Sequence, residues 1–264
     1  MKRESILDKN FLVCSSYYLK DKHVLLLHCD MSQFLIDYYL AQKDLLNKPS
    51  PEQDYKLKQL FAAAALHITQ RHPEESLAWT LLMRSSEPYS LFVTASPAEK
   101  MLVGQVIVDN IRHTDVNIFH AQMSGKKGEV SNSSVLCQST DVEKMVEEYY
   151  QQSEQLPLKV SLLRDSDMAL ALVGMPEVDL GWFEENEPEE IYTNLSDFSH
   201  KLMKQCEFSY FCNCSPEKLL PFLKKIPKVE LEELYGDDPK IVVNCPRCGK
   251  NFEMSREELL PNSN

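Results

Sequence analysis

Residues 210–218 read YFCNCSPEK, with Cys212 and Cys214 separated by a single residue. Extended Cα atoms two residues apart lie at about 6.5–7 Å, at the edge of the usual disulfide range. A disulfide there would be strained and easily reduced. The alternative is a metal ion that draws both sulfurs to one side. Further ligands are available at CPRCG (245–249). In that Cys-x-x-Cys knuckle the turn aims two sulfurs at one point, and Gly249 permits the positive φ needed just after the second ligand. The inventory becomes Cys-x-Cys, thirty residues, Cys-x-x-Cys. Four thiolates suit tetrahedral zinc in a closed site with no open position for substrate. Cys212, Cys214, Cys245 and Cys248 are therefore the predicted zinc ligands.

The surrounding stretch, about 211–260, is short and loop-rich. Ser215-Pro216-Glu217 reads as a helix start: a cap, a first-turn proline and an acid near the positive end of the dipole. Pro221 is expected to bend that helix. A second helix over Val229–Tyr235 ends at Gly236, and KIVVNCPRCGKNFEM reads as a β-hairpin. About fifty residues cannot bury enough surface to fold alone, so a metal would stabilise them. Two readings stay open. The zinc is purely structural, or it is also a switch, because zinc keeps four sulfurs as the thiolates that oxidants attack. Losing it would cost the segment on the order of 10 kcal/mol or more.

Outside this segment, the 264 residues leave room for one large domain or two unequal ones. No apolar run is long enough for a transmembrane helix. MKRESILDKN is too charged, and HVLLLHC too short, for a signal peptide, so a cytoplasmic location is expected. The net charge of −12 argues against a general nucleic-acid binder, which needs a basic footprint, and against anionic membranes. In a reducing compartment the eight cysteines default to buried thiols or metal ligands.

The first 175 residues mix short β-prone runs with helical patterns. The runs are Trp79–Met83, Leu91–Thr94, Met101–Val108, Val116–His120, Leu158–Leu163 and Met168–Val173. Helices are expected over 31–42, 56–70 and 140–153, the last opened by a capping box of Thr140 and Glu143. There is no Gly-rich phosphate loop. After Pro176 the composition turns acidic. Pro188 sits where a first-turn proline would, and Ile191, Leu195, Phe198, Leu202 and Cys206 follow at spacings of 4, 3, 4 and 4. That predicts one helix with one apolar stripe. A lone acidic helix of this length is marginal in water and must dock on something. The expected fold class is α+β: an N-terminal mixed strand/helix domain (1–176), an acidic helical linker (177–210) and a small C-terminal four-cysteine zinc domain (211–264).

The combination resembles the redox-regulated holdase chaperones of the 33-kDa chaperonin family. The likeness is carried by CNCS (212–215), the thirty-residue gap and CPRCGKNF (245–252). A second, upstream match is VEEYYQQSEQLPLKV (146–160). The resemblance implies a protein that is inactive while reduced and zinc-bound. Oxidation would form the redox-active disulfides Cys212–Cys214 and Cys245–Cys248, release zinc and unfold the linker. The exposed surface would then hold unfolding or oxidatively damaged proteins without ATP. The implied cofactor is Zn(2+), the partners are unfolded client proteins, and room is left for a homodimer when oxidised. The linker latch would be Ile191, Leu195, Phe198 and Leu202.

Other candidates are weaker. His113 and His120 lie near Asp109 and Asp115, yet no nucleophile elbow, triad pattern or metalloprotease helix accompanies them. No catalytic residue is assigned. Cys14, Cys29 and Cys137 read as buried thiols, whereas Cys206, on the linker stripe, is the one placed to join redox chemistry. The rival functions are a zinc-ribbon adaptor with a purely structural zinc and a thiol-disulfide oxidoreductase using Cys245 and Cys248. The latter would need a thioredoxin-like βαβ context.

Overall fold

The structure, a computed structural model, describes residues 11–43, 48–111, 113–125 and 128–259. Its fold is α+β. One five-stranded antiparallel sheet holds β1 (Leu12–Leu19), β2 (Val24–Asp30) and three later strands. Helices α1 (Ser32–Gln42) and α2 (Pro51–Gln70) then lead to a second five-stranded antiparallel sheet. That sheet runs β5-β4-β3-β6-β7, from β3 (Ser76–Met83), β4 (Tyr89–Ser96), β5 (Met101–Ile107), β6 (Asn117–Ser124) and β7 (Val130–Cys137). The chain returns through α3 (Val142–Tyr149) to β8 (Leu158–Leu162) and β9 (Met168–Gly174) in the first sheet.

Helix α2 explains how the two sheets share one core, since it packs on β4 and β5 of one and on β1, β2 and β9 of the other. Its start is fixed by Pro51 and a reciprocal capping box between Ser50 and Gln53. The Ala62–Ala65 run keeps its flanks thin, and all four alanines are buried. On β5 the same logic demands Gly104: a Cβ there would lie 3.0 Å from the Phe61 ring and 2.2 Å from the Phe92 carbonyl oxygen. The third helix is capped by Asp141, whose side chain accepts from the Lys144 N–H. The expected Thr140 box is thus corrected. Glu143 turns inward instead, accepting from Leu162 N–H and pairing with Arg164.

After β9, α4 (Leu180–Glu185), α5 (Pro188–Thr193) and a 3-10 turn at Leu195–Asp197 form the helical linker. It does not continue as one helix. Residues His200–Phe208 form β10, the edge strand of the order β10-β1-β2-β9-β8. A spacing of four fits one face of a helix and equally one face of a strand, because four is even. The C-terminal segment consists of α6 (Pro216–Leu223), α7 (Lys228–Tyr235), the hairpin β11 (Lys240–Asn244) and β12 (Asn251–Ser255), and α8 (Arg256–Leu259). Its own small core joins Leu231, Tyr235, Met254 and Leu259.

Candidate metal centre

The β11–β12 pairing ends at Asn244 opposite Asn251, and the six residues between form the knuckle. Cys245 N–H donates to the Lys250 carbonyl at 2.8 Å, and Gly249 N–H donates to the Cys245 carbonyl at 2.9 Å. Gly249 takes φ 73°, the left-handed region expected of it. Cys212 and Cys214 approach from the extended segment between β10 and α6. All four sulfurs lie within 4.8 Å of one another, with Cys212–Cys245 at 3.8 Å and Cys214–Cys248 at 3.6 Å. A tetrahedron with Zn–S bonds of about 2.3 Å has sulfurs about 3.8 Å apart. The four predicted ligands therefore converge with spacing that fits zinc.

The electrostatics point the same way. Cys245 is held far below its usual thiol range, first by hydrogen bonding with Cys212 and then with Cys248. Cys212 is pushed the opposite way by its hydrogen bond to Cys245. One thiolate is readily formed, and each further one repels it. Four thiolates at this spacing need a compensating cation, which is the chemistry of a soft divalent ion.

The centre is seated on the N-terminal body. Cys245 and Cys248 are buried against Met101 and Val103 of β5, with Tyr210 and Phe252 beside them. The Gln105 side-chain amide donates to the carbonyls of Cys245 and Pro246. Tyr210 inserts edge-on among Phe34, Tyr38 and Phe61, with centroids 5.4–6.0 Å away. Sequence reasoning missed this docking; its one signal was an aromatic, Tyr210, two residues before Cys212.

The linker covers the other face of the first sheet. Side chains alternate, so Leu27 and Cys29 of β2 face α2, whereas Val24 and Leu26 face the linker. Phe183 and Ile191 are buried there against Leu19, Val24, Leu26 and Leu172, with Leu195 and Phe198 partly buried alongside. Leu202 is not in this cluster and is 44% exposed. The register of β10 slips between its contacts to Ser16 and Tyr17. The slip sets Leu202 opposite Tyr17 and Cys206 opposite Cys14, on different faces. Thus Ile191, Leu195 and Phe198 come together, and neither Leu202 nor Cys206 joins their stripe.

Sequence reasoning also missed the polar clamp. Lys159 Nζ, on β8, donates to the carbonyls of Glu184 and Asn186 and to the Glu187 carboxylate at 2.7–3.0 Å. Its neighbour Ser161 bonds Glu189, and Arg164 lies 3.5 Å from the same carboxylate. The available signal was a lysine in an apolar strand and an acidic run that needed a partner.

The family model described as "Hsp33 protein" matches residues 165–255, a span that includes the linker, β10 and all four clustered cysteines. A 33 kDa chaperonin of Lachnoclostridium phytofermentans is 36% identical over 73 residues, 27% of this chain and 25% of that protein. One from Shewanella sp. is 29% identical over 127 residues, 40% of this chain and 44% of that protein. The matched stretches thus span a quarter to a half of those relatives. The crystal structure of the Thermotoga maritima 33 kDa chaperonin superposes with a TM-score of 0.69, covering 95% of this chain and 97% of that one at 17% identity. That likeness shows the fold. No helix among the described residues is long and apolar enough to cross a membrane.

Proposed function

We propose, for a chain that belongs to the 33 kDa chaperonin family, a redox-regulated, ATP-independent molecular chaperone that holds unfolding proteins. The observation that carries the reading is the buried seam between the linker and the first sheet. Phe183 and Ile191 cover Leu19, Val24, Leu26 and Leu172, an apolar surface already built and merely hidden. Exposed apolar surface of this kind is what an unfolding client can bind.

Cys212, Cys214, Cys245 and Cys248 would hold zinc, which when bound supplies the charge that keeps four thiolates together. An oxidant such as peroxide takes two electrons from Cys245 and Cys248 and two from Cys212 and Cys214. Each pair of thiolates, with two protons from solvent, reduces one peroxide to two waters as its S–S bond forms, and the ligand set is dismantled. The knuckle then loses its hold on β5, and the 177–210 segment, α4 through β10, loses the neighbour that anchors its C-terminal end. The domains follow this division: 1–176 binds client, 177–210 is the latch and 211–264 is the sensor. Clients would be unfolded or oxidatively damaged proteins in the cytoplasm, with no enzymatic turnover, and an oxidised homodimer is compatible with the exposed edge.

The test is light scattering from a heat-unfolded protein, with the chaperone added reduced or after peroxide. Protection after peroxide alone is expected. Equal behaviour in both states, together with salt-dependent nucleic-acid binding, would instead identify a zinc-ribbon adaptor.

A further inference from the structure

Three of the four cysteines outside the metal centre lie side by side. Cys14 on β1 is in register with Cys29 on β2 and with Cys206 on β10. Partners directly across a sheet share a face, and this face packs on α2, where Thr69 lies against Cys14. Cys14 and Cys29 are fully buried, and Cys206, on the edge strand, is nearly so.

Two partners thus compete for Cys14, and the backbone decides between them. Lys20 N–H donates to Ser199, towards β10, at 2.9 Å, and Met31 N–H donates to Asp167, towards β9, at 2.8 Å. Backbone groups switch sides at each residue along a strand. Cys14, six residues before Lys20, therefore directs its N–H and C=O at β10. Cys29, two before Met31, directs its own at β9. No irregularity interrupts the β1–β2 register. Cys14 and Cys29 consequently face each other as a non-hydrogen-bonded pair, with Cα atoms about 4.5 Å apart and side chains close; Cys14 and Cys206 are the wider pair, about 5.5 Å. A disulfide needs Cβ atoms about 3.5–4.5 Å apart, which favours the narrow pair.

We propose that Cys14 and Cys29 are a second disulfide site, closed to oxidants while β10 lies on β1 and opened when β10 leaves. In the closed state burial, and then the hydrogen bond to Cys29, push the Cys14 thiol well above its ordinary range, so it offers no thiolate to peroxide. Departure of β10 removes Cys206 and makes β1 the sheet edge. A Cys14 thiolate then attacks one peroxide oxygen, forming a sulfenic acid and releasing water. The Cys29 thiol displaces the second water from that sulfur. Two thiols lose two electrons, one peroxide becomes two waters, and one S–S bond forms. The link ties the new edge strand to β2, so that the uncovered sheet does not fray further. The gating rests on the proposed release of the linker; the choice of partner does not.

The experiment exposes reduced, zinc-loaded full-length protein to hydrogen peroxide. Zinc release, amide exchange of β10 and disulfide-linked peptides are followed together, and trypsin cuts at Lys20 and Lys22, between the two cysteines. A Cys14–Cys29 linked peptide should appear after zinc release, in step with β10 exchange. If β10 exchanges while both thiols remain alkylatable, or if Cys14 is found joined to Cys206, the proposal is overturned. If peroxide leaves β10 protected, the linker reading fails. The pairing is then decided by the same two outcomes at the lowest urea concentration that frees β10. Cys206→Ala should retain the linked peptide, and its loss in that variant would also overturn the proposal.

Discussion

The Gln105 amide lies 3.2 Å from the carbonyl oxygen of Cys245 and 2.7 Å from that of Pro246, so β5 grips the backbone of the Cys-x-x-Cys knuckle. The grip ties the C-terminal segment to the body that carries the covered apolar face. Each hydrogen bond contributes about 0.5–1.5 kcal/mol. Gln105→Ala should weaken docking by about 1–2 kcal/mol and speed zinc transfer to a chelator by about tenfold. Stoichiometry should stay at one zinc per chain. An unchanged transfer rate would mean that the knuckle is held by its own ligands alone.

The ligand set makes a second prediction. Removing one thiolate from a four-coordinate site should sharply weaken binding, so each of the four Cys→Ser variants should lose zinc to a chelator that spares the parent. Metal analysis of a Cys212→Ser, Cys245→Ser double variant should find none bound; stoichiometric zinc there would place the site elsewhere.

The pairing of the disulfides is a separate matter. In the closed centre the nearest sulfurs belong to different knuckles, Cys212 with Cys245 and Cys214 with Cys248. Those contacts last only while both knuckles are gathered. Once they part, ring closure is cheapest within Cys-x-x-Cys and Cys-x-Cys. Cys245–Cys248 should form first, because a two-residue spacer closes with less strain than one. Peptide mapping that finds chiefly cross-knuckle links would show that oxidation outruns separation.

His67 sets a pH dependence unrelated to the metal. It is buried beside Trp79, with Nδ1 2.7 Å from the Tyr150 hydroxyl. Burial, and then the Arg71 charge, lower its pKa to about 3. Below pH 6.5 the unfolded chain binds a proton that the folded chain refuses. Stability therefore falls as pH drops from about 6.5 towards 3, by up to about 1.4 kcal/mol per pH unit. His67→Gln, which can still bond Tyr150, should lose that slope. Urea unfolding at pH 7 and pH 4.5 should separate the two proteins by about 2–3 kcal/mol in their pH response. Acid effects on the metal centre are common to both, so parallel curves would refute the assignment.

How legible this was in the sequence depended on how local each signal is. The convergence of Cys212, Cys214, Cys245 and Cys248 was, because their spacing suggests two knuckles and the positive φ of Gly249 follows from the turn. So were α2 and strands β3 to β6, β8 and β9, each a strong periodic or β-rich run. The run VLLLHC of β2 hid its nature because both faces are buried, by α2 and by the linker, which erases alternation. β7 hid behind the polar run Ser131–Ser134. β10 read as helix because Leu202 and Cys206 satisfy both periods, and only the register slip against β1 tells them apart. The Gln105 and Lys159 contacts depend on residues more than 20 positions distant, and no window along the chain contains both ends.

The linker latch is the last prediction. Ile191 is 1% exposed against Leu26 and Leu172, while Leu195 and Phe198 flank it partly buried. Burying a large apolar side chain stabilises by about 1.5–3 kcal/mol, so a Leu195→Asp, Phe198→Asp pair puts two charges where about 3–6 kcal/mol is at stake at most. Ile191→Asp strikes the fully buried position and should undock the linker on its own. Lys159→Met removes the clamp on Glu184, Asn186 and Glu187 and should act in the same direction, more weakly. Leu202→Asp, at an exposed position of β10, should do little. If the linker is the gate, the Ile191 variant protects an aggregating client while still reduced and zinc-loaded, whereas the Leu202 variant waits for peroxide as the parent does. A folded Ile191→Asp protein whose linker amides exchange freely, yet which gives no protection until oxidised, would move the gate from the linker to the sensor segment itself.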